Sequence, residues 1–218
     1  MPLDPRVIID QLSTVQRLVH LAARFDSVDE ERLRSELLSV RRKAYNDELS
    51  IQAGNVGCPG QVGRLGNGNI LSVLNEASKT DAASIVNTYN YFLALEIQRA
   101  GQENPRGNRN YYAAKVTAWN PGYWSYKYPQ IVQVTELTAR NMAQQDFYQY
   151  NGSTMGSAKL EPTSAVCPIC AGWIARGIVP LRVALSNPAN FHVNCPHIWD
   201  IRPGKVAKED CPLLWMGA

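Results

Sequence analysis

Cys167-Pro168-Ile169-Cys170 and His192-Val193-Asn194-Cys195 are the residues of this chain whose types and spacing are suited to chemistry. Two thiolates separated by two residues in a tight turn converge on one point. An imidazole and a thiolate at the matching spacing repeat that geometry. Cys167, Cys170, His192 and Cys195 thus make a four-ligand set of nitrogen and sulfur, soft enough to select zinc. The set is closed, with no position left for a reacting water, which predicts a structural ion and not a catalytic one. The competing reading makes Cys167 and Cys170 small buried hydrophobes and His192 an ordinary hydrogen-bonded histidine. His197, two residues beyond Cys195, could take the place of His192 or support it through a hydrogen bond. Cys58 and Cys211 are left as ordinary thiols, and an odd total of five cysteines fits metal binding better than a disulfide framework in a reducing cytosol.

The elements that would carry these ligands divide by composition near residue 151. Residues 1–150 read as a helical body. Asp4-Pro5 opens an amphipathic helix that ends near Phe25, and Ser27-Val28-Asp29-Glu30 reads as the capping box of a second helix through Leu33, Leu37, Val40, Ala44 and Tyr45. The opposite face of that helix carries Arg32, Arg34, Glu36, Arg41 and Arg42 and reads as solvated, with Arg41-Arg42-Lys43 available to an acidic partner. Residues 53–69 are so dense in glycine that a long loop is expected, without the Gly-Lys-Ser/Thr ending of a nucleotide loop. Helices are then expected at 70–77, at 81–99 and, opened by Pro129, at 129–150. The aromatic stretch from Tyr111 to Tyr128, interleaved with Arg106, Arg109, Lys115 and Lys127, suits either internal packing or an interface. Residues 151–218 turn to Ser, Gly, Pro and Cys with short apolar runs, which predicts a small irregular or α+β module. A core of that size is thin, and a structural zinc contributes on the order of 10 kcal/mol to such a module. The expected fold class is therefore mainly α, a helical body followed by a zinc-stapled module.

Composition sets outer limits. The formal charge of +3 is far from the balance of a dedicated nucleic-acid binder. Met1 to Pro5 lacks the basic and apolar regions of a secretory signal, and no apolar run is of membrane-spanning length. A zinc-dependent nucleotide deaminase needs His-x-Glu with Pro-Cys-x-x-Cys, and neither occurs; His-Glu-x-x-His and Gly-x-Ser-x-Gly are also missing. No enzymatic activity is expected.

Thr135-Glu136-Leu137-Thr138-Ala139-Arg140-Asn141, the ending Tyr148 to Gly152, Val166 to Cys170, and Pro188 through His192 to Cys195 resemble the minor head proteins of tailed phages, the family named after protein F of phage Mu. The resemblance covers roughly residues 130–200. Val193 stands where the family usually has proline, and His197 where it usually has its last cysteine. The resemblance implies a virion component made in the host cytoplasm, present in several copies in the phage head. It would contact the portal or major capsid protein and support head assembly and the packaging or delivery of DNA, with packaged double-stranded DNA a further contact. The alternative is a zinc-containing nucleic-acid-binding protein, distinguished by salt-dependent affinity.

Overall fold

The computed structural model describes residues 29–57, 68–150, 156–161, 167–187, 189 and 197–204. Three long helices come first: α1 (Glu30–Val56), α2 (Gly68–Glu103) and α3 (Arg109–Tyr150). They are followed by β1 (Gly156–Leu160), α4 (Pro168–Arg176), β2 (Ile178–Pro180), α5 (Leu181–Leu185) and β3 (Trp199–Pro203). Helix accounts for 80% of the described residues, so the mainly α expectation stands, with a small sheet beside it. The helix expected at 4–25 and most of the glycine-rich segment lie outside the described residues.

α1 is capped by Asp29, whose Oδ1 accepts the Arg32 N–H at 3.0 Å, and Glu30 and Glu31 place negative charge in the first turn, where the helix dipole favours it. This is an Asx cap at Asp29; Ser27, where the expected box begins, lies outside the described residues. α1 also runs further than composition suggests, through Ala53 and Gly54 to Val56. Burial of Ala53 and Val56 offsets the roughly 1 kcal/mol that a mid-helix glycine costs. Gly57, at φ +92°, ends the helix in the left-handed region and donates to the Gly54 carbonyl at 3.1 Å.

α2 is one helix of 36 residues where two were expected. The polar Ser78-Lys79-Thr80 interrupts the apolar pattern, but Ser78 is small and fully buried, in line with Leu74, Ala82, Val86 and Tyr89. α3, of 42 residues, contains both Pro121 and Pro129 instead of starting at the second. An interior proline costs about 3 kcal/mol. Here both prolines lie on the exposed face, as do Thr117 and Ser125, whose carbonyls the two prolines deprive of a donor. Around them the helix is apolar and buried at Val116, Trp124, Tyr128 and Val132.

The chain forms two compact units, Met1–Leu37 with Asn75–Val132, and Leu38–Leu74 with Gln133–Ala218. Each long helix contributes to both units. In the first unit Tyr89 of α2 stacks on Trp124 of α3 at 5.3 Å between centroids and meets Trp119 and Tyr123. Its hydroxyl donates to Asn120 Oδ1 at 2.9 Å. The aromatic stretch is thus helical, and much of it is packed internally.

In the second unit β1 is the centre of an antiparallel sheet of order β2-β1-β3. Ala158 pairs with Val179 on one side and Ile201 on the other, and Leu160 pairs with Trp199. All five side chains are buried, so one face of the sheet joins the core formed by Tyr45, Leu49, Leu74, Ala143 and Phe147 of the long helices. Residues beyond 156 therefore share their core with α1 and α3.

Candidate metal centre

The expected ligands fall into two groups. Cys167 and Cys170 are described, whereas His192 and Cys195 lie outside the described residues. Cys167 is the N-cap of α4, in extended backbone at φ −81° and ψ 163°, and Pro168 occupies the first turn, where its missing N–H costs nothing. The Cys170 N–H points at Cys167 Sγ across 3.4 Å, and the Ala171 N–H donates to the Cys167 carbonyl at 2.8 Å.

The two sulfurs are 3.4 Å apart, well beyond a disulfide bond of about 2.05 Å. Two sulfurs at about 2.3 Å from a tetrahedral zinc lie roughly 3.8 Å from each other. A few tenths of an ångström separate the observed pair from a zinc-binding half-site. Cys170 is fully buried and Cys167 is half-buried.

α4 is held in place at its far end. Gly177, at φ +68°, closes the helix by donating to the Ile174 carbonyl at 3.0 Å. Trp173 meets Trp199 of β3 edge-on at 5.6 Å, and the Arg176 guanidinium covers the Trp173 ring at 4.3 Å. Trp199 Nε1 donates to the Asn187 carbonyl at 2.8 Å, fixing the other end of the same indole.

His197 is buried just before β3, with its carbonyl 3.5 Å from Asn141 Nδ2. Among the described residues no three or more His, Cys, Asp or Glu side chains form a metal-binding group, so His197 does not complete a three-ligand set with the cysteines. The described part of the chain accordingly holds two neighbouring cysteine sulfurs and no metal-binding group, so the expected zinc-stapled module is not supported by it.

Sequence reading missed the polar network that anchors β3 beneath this site. Glu48 and Gln52 of α1 and Gln144 and Tyr148 of α3 are all buried. Tyr148 donates its hydroxyl to Gln52 Oε1 at 2.6 Å, and Gln52 Nε2 donates to Glu48 Oε1 at 2.6 Å. Gln144 Nε2 reaches both Glu48 Oε1 and the Trp199 carbonyl at 2.9 Å. Arg140 lies 3.5 Å from Glu48 Oε2 and pairs with Glu136 at 2.8 Å. Burial, with the Glu48 carboxylate nearby, pushes the Tyr148 phenol well above its ordinary range. The signal was the four-residue spacing of Glu48 with Gln52 and of Arg140, Gln144 and Tyr148, which puts polar groups on one helix face. Arg41, expected on the solvated face, is buried at 2% exposure, which leaves Arg42 and Lys43 of that run exposed for an acidic partner.

Comparisons with protein-family models, with curated proteins and with solved structures give no match.

Proposed function

We propose that this chain is a structural component of a tailed-phage head, a minor head protein that works through protein contacts near the portal or major capsid protein. In this reading it supports head assembly and the packaging or delivery of DNA. A structural zinc held by Cys167, Cys170, His192 and Cys195 would stabilise its C-terminal module, supplying rigidity and no reaction.

The observation that carries the reading is the gathering of the phage-like stretches. Thr135 to Asn141, the end of α3 and the Cys167–Cys170 turn belong to one compact unit, although up to 35 or so residues of chain separate them. Within it the cysteine turn is preorganised, with its sulfurs 3.4 Å apart. Nucleic-acid binding is the less supported alternative. Trp124 and Tyr128 are buried and closed to stacking, and Lys115 is engaged by Glu103 at 2.5 Å.

Two measurements on full-length protein test the proposal. Elemental analysis should find about one zinc per chain, lost in Cys167→Ser and Cys170→Ser variants. Mass spectrometry of purified particles should find the chain as a minor component. Undiminished zinc in the variants would refute the site, and absence of the chain from particles would refute the virion role.

A further inference from the structure

Within the first unit α2 and α3 each contain a long interval without charge. From Ala82 to Leu95 on α2, and from Val116 to Tyr126 on α3, no side chain is ionisable as an acid or a base of the Asp, Glu, Lys or Arg type. Only one stripe of each interval is buried: Ala82, Val86 and Tyr89 on α2, and Val116, Asn120 and Trp124 on α3. The remaining faces are open to solvent yet carry none of the charges that a solvated helix face normally has.

An aromatic ribbon crosses this open belt. Tyr91 meets Phe92 at 5.5 Å, Phe92 meets Tyr123 on the neighbouring helix at 5.8 Å, and Tyr123 meets Trp119 at 4.9 Å. Tyr91 is 62% exposed, Leu95 42% and Phe92 38%. Charge depletion combined with exposed aromatic residues marks the centre of a protein–protein interface. A phosphate backbone would find no cation within the belt to pair with. No helix is long and apolar enough to cross a membrane among the described residues.

We propose that the occupant of this belt is a second copy of the chain, packed antiparallel so that the two hairpins of α2 and α3 form a four-helix bundle. The charges flanking the belt decide the partner and its direction. The hairpin tip, Glu96 to Lys115, carries four cations against two anions. The opposite end, made of 29–37, 76–81 and Lys127, carries six anions against four cations. Arg34 of the first of these segments donates to Oδ1 of Asn75, the residue just before the second, at 2.9 Å. An antiparallel pair sets the positive tip of one copy beside the negative end of the other, twice over. A parallel pair would oppose like with like. The self-complementary patch also meets the requirement of a two-fold interface, in which the same surface serves both partners. This inference is independent of the zinc site and of the virion reading.

Photo-cross-linking of the full chain tests it, with benzoylphenylalanine substituted for Tyr91. The expected product has twice the chain mass and joins position 91 to the uncharged interval of another copy. In a mixture of isotopically light and heavy chains, a lysine cross-linker should then connect Lys115 of one copy to Lys79 of the other. Tyr91→Glu with Leu95→Glu should halve the sedimenting mass while the helical circular dichroism persists. Cross-links confined to one chain and ending in residues 1–28 would assign the belt to the protein's own N-terminal segment and overturn the proposal. A wild-type monomer at micromolar concentration, a dimer that survives the double substitution with its fold intact, or Lys115 joined to Lys115 would overturn it as well.

Discussion

Gln144 on α3 and Glu48 on α1 meet in the core of the second unit, where one amide nitrogen of Gln144 lies 2.9 Å from Glu48 Oε1 and 2.9 Å from the Trp199 carbonyl. A single side chain therefore joins two helices to the edge strand that bears Trp199. Replacing it with leucine leaves the strand carbonyl without this donor and removes one donor from a buried carboxylate. Gln144→Leu should lower the unfolding free energy by about 1–3 kcal/mol, read from urea denaturation. A change within about 0.5 kcal/mol, the range of ordinary surface substitutions, would show that water replaces the bond.

Gly156 is held at φ +130°, and a Cβ built there would lie 2.5 Å from the Arg202 carbonyl oxygen and 2.7 Å from Pro203 Cα. Both obstacles are backbone of β3 and cannot rotate away. Gly156→Ala should cost about 1–3 kcal/mol and weaken β1–β3 pairing first, seen as faster amide exchange in Ala158 and Ile201. Gly172, with open space around it, serves as the control, where alanine is expected to stabilise the helix by several tenths of a kcal/mol.

Burial raises the Asp146 carboxyl above its ordinary 3.8, although the hydrogen bond from Tyr45 at 2.6 Å pulls it partly back. The folded state thus binds this proton more tightly than the unfolded state. Stability from this group is fully present below pH 3.8 and declines as pH rises through the folded-state value. Asp146→Asn keeps an acceptor for Tyr45 and should flatten that part of the stability–pH curve in thermal melts. An unchanged curve would assign the slope to other groups.

The alkaline side has the same sign. Burial raises the phenols of Tyr45 and Tyr148 far above the ordinary 10 and pushes Tyr128 up to about 12. Stability should therefore hold up to about pH 10 and fall steeply above it, read as loss of helical circular dichroism along a pH series. Tyr45→Phe should soften the fall, and an unchanged alkaline profile in that variant would contradict it.

On the proposed zinc reading, chelation should loosen α4, whose N-cap is Cys167, while α1, α2 and α3 persist on their own packed faces. Hydrogen exchange before and after chelation would show protection lost in α4 and kept in α2. Equal protection in α4 after verified metal loss would count against a structural ion.

The amino-acid pattern by itself determined the helical character of residues 30–45, 85–99 and 131–150, where apolar residues recur at helical spacing, and it singled out Cys167 and Cys170 as a pair. Those are local properties, settled within a few turns of chain. Tertiary structure alone decided that α3 runs through Pro121 and Pro129, because the stabilisation comes from burying Trp124, Tyr128 and Val132 against other helices. It also decided that Arg41 and Glu48 are buried, that Gly54 is helical, and that the strands after residue 156 share a core with α1. Each of these depends on partners distant in sequence, whose packing outweighs a local preference of about 1–3 kcal/mol that a linear reading weighs alone.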